Sequence, residues 1–281
     1  MKLKNESPKD IRAVKARDGI ELQYEVLGEG PAVVLLHGGL VGRSAFARMR
    51  QDLARKFTMI LPSSRGHDGT ELVLPADYSF ETSEVSDLST ILKAEKLESV
   101  HLVGHSSGGI IASQLAENEP ARVQAIVYIA GMMLPSGMGF ADLVEELTPD
   151  LPEAAGIIPY LEWSADRETS TLIDGAAQKL FYHDCPKEMA DAASAKLKRH
   201  PQRGRAIVAQ LTDDRFGRVP RAYIEATQDR AVIPAAQKRM QELVPGAARH
   251  AIETGHAPLL AQPDALAVLI DQAIQEFALD G

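Results

Sequence analysis

Residues 104–108 read Gly-His-Ser-Ser-Gly at the end of the apolar run Ser99–Val103. A serine flanked by glycines two positions away on each side fits a tight strand-to-helix turn that lifts a hydroxyl above a sheet. Only Ser106 meets that spacing; for Ser107 the residue two before is His105. Ser106 is therefore the nucleophile candidate, and the backbone N–H of Ser107 the first donor candidate for a developing oxyanion. The same pentapeptide also occurs in ordinary Gly-rich turns, so the flanking strand and helix patterns carry the reading.

A serine hydroxyl near neutral pH needs a base. Of the eight histidines, His256 stands in Glu-Thr-Gly-His-Ala-Pro, after the last β-type run and before the last helical pattern. Taken alone it reads as a surface-loop histidine; as the last member of a Ser…Asp…His order it reads as the base. The acid candidate is Asp229, just past the strand-like run 221–227. Its role would be to orient the imidazole and stabilise the imidazolium. Its plainer alternatives are pairing with Arg230 or capping a helix at Pro234. Asp213 and Asp214 precede the strand, at its wrong end.

The stretch His37-Gly38-Gly39 follows the apolar strand pattern 31–36. Small residues there let backbone approach a substrate, and the N–H of Gly39 is the second oxyanion-donor candidate. His37, Gly38 and His105 are pocket candidates for the same reason of place. Further along, Met133, Trp163, Phe181, Tyr182 and His183 are candidates to line an apolar cavity, although most such residues simply pack a core. His183-Asp184-Cys185 holds metal-ligating residue types, but no partner motif accompanies it, so no metal is expected.

The elements that must position these groups are legible as alternating patterns. Continuous apolar runs at 31–36, 57–62, 99–104 and 123–130 read as strands buried on both faces. Residues 20–28 alternate and end in Gly-Glu-Gly-Pro, a hairpin-like turn signal. Helical spacing covers 44–55, 83–97, 109–118, 234–243 and 263–278. This rhythm predicts an α/β fold, a mostly parallel sheet flanked by helices. It breaks between 132 and 218, a Pro-punctuated stretch with helical segments at 140–147 and 186–198 and no clear strand. The expected organisation is a core of 1–131 and 219–281 with a helical cap, 132–218, inserted in it.

Composition limits what else the chain does. Of its 281 residues 45% are hydrophobic and 25% charged, ordinary for a globular protein. A formal net charge of −9 argues against nucleic acid or an anionic membrane as partner. No apolar run approaches the ~20 residues of a bilayer span. One cysteine and a charged N-terminal stretch without an apolar run predict a cytoplasmic protein.

Taken together, HGG at 37–39, GHSSG at 104–108, TQDRAVIP at 227–234 and TGHAPLL at 254–260 resemble the α/β-hydrolase superfamily over nearly the whole chain. The part from residue 128 onward looks closest to the branch of methylesterases and hydroxynitrile lyases. That resemblance implies an α/β-hydrolase fold with a helical cap, a triad of Ser106, Asp229 and His256, oxyanion donors at Gly39 and Ser107, and no cofactor. It implies a small-molecule ester as substrate. Hydroxynitrile lyases of this type carry a lysine after the catalytic histidine and a threonine in the oxyanion loop. Here Ala257 and Gly38-Gly39 stand there, which favours hydrolysis. Lyase-like or lactonase activity on the same triad, or a ligand receptor with little turnover, are the alternatives. One stretch departs from the family: Ser63-Ser64-Arg65-Gly66-His67-Asp68-Gly69-Thr70 stands where members often read D-x-R-G-H-G-x-S.

Overall fold

The computed structural model describes residues 10–74, 77–201 and 207–279. The first nine residues of the charged N-terminal stretch lie outside them. Eight strands form one sheet in the order β1-β2-β4-β3-β5-β6-β10-β11. These are β1 (Asp10–Lys15), β2 (Glu21–Leu27), β3 (Ala32–Leu36), β4 (Thr58–Pro62), β5 (Val100–His105), β6 (Val123–Ile129), β10 (Arg221–Ala226) and β11 (Ala248–Ile252). From β4 to β11 neighbours run parallel; β1 and β2 are antiparallel at one edge. The fold is that of an α/β hydrolase, with helices on both faces of a mostly parallel sheet.

Alternation along the central strands divides the core. Val34, Leu36 and Leu102 join Leu88, Ile91, Leu115 and Met240 on one face. Val33, Leu35 and Val103 join Phe46, Met49, Leu266 and Ile270 on the other. All five residues of β3 are buried, which is why its sequence is apolar without a break. The flanking helices include α1 (Arg50–Leu53), α2 (Ser86–Ala94), α3 (Gly108–Asn118), α7 (Pro234–Leu243), the short α8 (Pro258–Ala261) and α9 (Pro263–Leu279).

Two expectations are corrected here. Gly28-Glu29-Gly30-Pro31 makes no hairpin, because β2 pairs with β1 and β4 while β3 lies beyond β4. The glycines serve a close crossing instead: Gly28 has φ +82°, and a Cβ there would meet Ala54 and Phe57 backbone. The segment 132–218 is also not purely helical. Alongside α4 (Phe140–Leu147), α5 (Ala176–Leu180) and α6 (Lys187–Ser194) it holds a three-stranded antiparallel sheet of β7 (Leu161–Trp163), β8 (Thr169–Leu172) and β9 (His200–Pro201). These strands are two to four residues long, too short to show a periodicity. Phe181, Tyr182 and Leu180 from this segment pack with Leu40, Ala231 and Ala257 of the sheet's loops.

The antiparallel edge is tied to the layer beneath it by a buried ion pair. Arg50 Nη1 donates to Glu25 Oε2 at 2.6 Å, with side chains only 4% and 3% exposed. Removing one partner strands the other charge in the core. Arg50→Met is expected to cost about 3–5 kcal/mol, read as a lower urea midpoint; Arg50→Met with Glu25→Leu should recover most of that loss.

Candidate active site

Strand β5 ends at His105 and α3 begins at Gly108, so Ser106 and Ser107 form the turn between them. Ser106 has φ +54°, in the left-handed region that a serine occupies only under constraint. The glycines explain how the turn closes. A Cβ on Gly104 would sit 2.6 Å from Gly109 Cα, and one on Gly108 would sit 2.5 Å from the Leu36 carbonyl oxygen. Both obstacles are backbone, which cannot step aside. Ser106 O accepts from Gly109 N at 3.1 Å and Met132 N at 2.9 Å, which locks the turn between α3 and the segment after β6.

Opposite it, the loops after β10 and β11 bring Asp229 and His256 together. His256 Nδ1 lies 2.7 Å from Asp229 Oδ2. An ionised carboxylate only accepts, so Nδ1 carries the proton of this bond, and in the neutral imidazole Nε2 is then the nitrogen with the free lone pair. Asp229 is buried, and its Oδ1 accepts from the N–H groups of Ala231 at 2.7 Å and Val232 at 3.0 Å. Those backbone donors explain how a carboxylate is accommodated there without a cationic partner. Gln237 on α7 reaches the same turn, donating to Val232 O at 2.7 Å and accepting from Ala226 N at 3.0 Å.

Ser106, Ser107, Gly38, Gly39 and His256 line one cavity of about 590 Å³, the size that suits a drug-sized ligand. Its walls are apolar: Met132, Phe140, Ile157, Trp163, Phe181 and Leu260 among others. Of the sequence-derived pocket candidates, Gly38, His105, Trp163, Phe181 and Tyr182 line it, and three do not. Met133 is fully buried in the core below. His37 spends both ring nitrogens on backbone, donating from Nδ1 to Gly38 O and accepting at Nε2 from Ser64 N. His183 faces away; its Nε2 donates to Gln228 O at 3.0 Å. Its neighbour Asp184 accepts from Gly255 N at 2.7 Å, so this turn braces the loops of Asp229 and His256. Among the described residues no group of three or more His, Cys, Asp or Glu is placed to hold a metal ion.

One lining residue was not visible in the sequence. His200, on β9, lies against the Gly38-Gly39 loop after β3: a Cβ on Gly39 would be 3.2 Å from its Nε2. Only the antiparallel pairing of β8 and β9 brings it there, and no local motif marks it.

Burial disfavours the charged form of two histidines near the serine, His37 and His105. Desolvation pushes His37 and His105 down to about 3. His105 Nε2 donates to the His256 carbonyl at 2.7 Å and its ring lies 4.9 Å from that of His256. Phe181 covers His256 on another side, with ring centroids 5.1 Å apart.

Comparison with known proteins gives a consistent result. A model of the alpha/beta hydrolase family matches residues 33–269. A pyrethroid hydrolase of Sphingobium wenxiniae is 26% identical over 262 residues, covering 88% of this chain and 87% of that protein. A putative chloroplastic methylesterase of Arabidopsis thaliana is 27% identical over 248 residues, 84% of this chain and 62% of that protein. Among solved structures, a pyrethroid hydrolase of Sphingobium faniae superposes with TM-score 0.72 at 22% identity, over 87% of this chain and 97% of that one. An Arabidopsis methylesterase superposes with TM-score 0.73 at 17% identity, over 87% and 99%.

The low values of His37 and His105 make a stability prediction. Between about pH 6.5 and pH 3 the unfolded chain binds protons on these rings and the folded chain does not. Their contribution is therefore complete above pH 6.5 and is lost as the pH falls toward 3. Urea unfolding at pH 4.5 and 5.5 should show stability falling with pH. His105→Gln is expected to reduce that slope by up to about 1.4 kcal/mol per pH unit.

Proposed function

The chain belongs to the alpha/beta hydrolase family and is a carboxylic ester hydrolase; on that premise we propose that it works as a serine esterase through Ser106, His256 and Asp229. The observation that carries the reading is that a left-handed serine, a carboxylate-oriented histidine and the residues of the two candidate N–H donors, Gly39 and Ser107, line one largely apolar cavity. Ser106 Oγ attacks the ester carbonyl as His256 Nε2 takes its proton. The oxyanion forms beside the N–H groups of Gly39 and Ser107, neither of which donates within the chain among the described residues. Collapse expels the alkoxide, which leaves with the proton from His256. Water then attacks the acyl-enzyme, again giving its proton to Nε2, and Ser106 is restored.

The residues 132–218 act as the cap in this account. They supply Met132, Phe140, Ile157, Trp163 and Phe181 to a cavity whose lining, among the described residues, includes Arg48 and Lys196 but no aspartate or glutamate. Such walls suit small to medium, moderately hydrophobic esters. The names of the relatives, a pyrethroid hydrolase and methylesterases, point the same way. Among the described residues no helix is long and apolar enough to cross a membrane.

Hydrolysis of p-nitrophenyl butyrate tests the reading. Ser106→Ala is expected to lower kcat by at least about 10³-fold with the circular dichroism spectrum unchanged, and Asp229→Asn to lower it by a comparable factor. Turnover by Ser106→Ala at the wild-type rate would refute it.

A further inference from the structure

The oxyanion loop has few anchors of its own. Gly38, Gly39 and Gly42 give it no side chains to pack, and glycine backbone is permissive. Its shape must be imposed from outside. The loop of residues 63–70, whose sequence departs from the family pattern, does so from one side.

At the near end, Ser64 N donates to His37 Nε2 at 3.0 Å, and His37 Nδ1 donates to Gly38 O at 2.9 Å. At the far end, Asp68 Oδ2 accepts from Ser44 N at 3.0 Å. Arg43 Nη1 donates to Asp68 O at 2.7 Å and to Ser63 Oγ. The Asp68 carboxylate occupies the space a side chain on Gly42 would need: a Cβ there would lie 2.7 Å from Asp68 Cγ and closer still to Oδ2. Asp68 itself holds φ +41°, a left-handed value that glycine takes readily and aspartate less so. Three of the family's altered features thus form one unit: Ser63 receives Arg43, Asp68 fills the place beside Gly42, and Thr70 Oγ1 accepts from Gln23 N at 2.9 Å to tie the loop to β2.

We propose that Asp68 is a positioning residue for the oxyanion hole, its carboxylate seated beside Gly42 and fixing the 42–44 turn so that the Gly39 N–H faces the reacting carbonyl. The inference rests on the serine-esterase reading. Asp68 is not among the residues lining the cavity, so it acts through the loop and not on the substrate. Bonds from Val41 N to Gly38 O and from Ala45 N to Gly42 O carry the constraint along the loop. From the other side Lys198 N donates to Leu40 O at 3.0 Å, so the loop is held between two walls.

The test is steady-state hydrolysis of p-nitrophenyl butyrate, with thermal unfolding measured on the same samples. Asp68→Gly suits the left-handed backbone and removes the side chain with its carboxylate. It is expected to lower kcat by about 10- to 100-fold, the scale of a misplaced or weakened oxyanion donor, with KM within about threefold of wild type. Asp68→Asn keeps an acceptor for Ser44 N and should restore kcat to within a few-fold. Gly42→Ala pushes the carboxylate out and should reproduce the Asp68→Gly loss. Adding Asp68→Gly to it should cost nothing more. Should Asp68→Gly not fold, the Gly42→Ala result decides. A kcat for Asp68→Gly within twofold of wild type, or losses that simply add in the double variant, would overturn the inference while leaving the esterase reading intact. A folded wild type that turns over no ester removes both.

Discussion

Ser106 can sit at φ +54° only because three neighbouring glycines let backbone meet backbone around it. That conformation costs a serine about 1–3 kcal/mol, which the surrounding structure must over-determine. The determinants come from several elements at once. Gly104 clears α3, Gly108 clears the end of β3, and Gly109 clears Tyr128 on β6. Tyr128 is itself held by a 2.7 Å bond to Ser113 on α3 and by its stacked neighbour Tyr223 on β10. The strand order 3-5-6-10 is therefore what permits this turn, and the turn is what sets Ser106 at the carboxyl end of the sheet.

Low polarity around the serine then shapes its chemistry. Rings of His37 and His105 stay neutral because burial outweighs any gain from charge. Backbone N–H groups, not cations, accommodate the Asp229 carboxylate. Fixed dipoles of this kind need no reorganisation as charge develops, and they count for more where water is excluded. The apolar cavity and the proposed catalytic residues are thus two aspects of one requirement.

Much of this was legible in the sequence. The turn at Ser106 was readable because its glycines are forced by close approach at fixed spacing, and the places of Asp229 and His256 because they sit just past β-type runs. The parallel core was readable because strands buried on both faces are apolar without interruption. What escaped is what depends on long-range pairing. β1 is an exposed edge strand with charged residues at three of its six positions, so no hydrophobic pattern marks it. His200 reaches Gly39 only through a two-residue strand. His183 and Met133 have the composition of pocket residues, yet one braces a loop and the other fills the core. Residue type is visible in a sequence; the direction in which a side chain points off an irregular segment is not.

The most direct measurement of the central claim is intact-mass analysis and peptide mapping after reaction of the folded protein with a fluorophosphonate. A nucleophile activated by His256 in a single site predicts one adduct per chain, mapped to Ser106, and none after denaturation before labelling. A folded protein that takes up no label, or carries it on Ser107 in place of Ser106, would contradict the account.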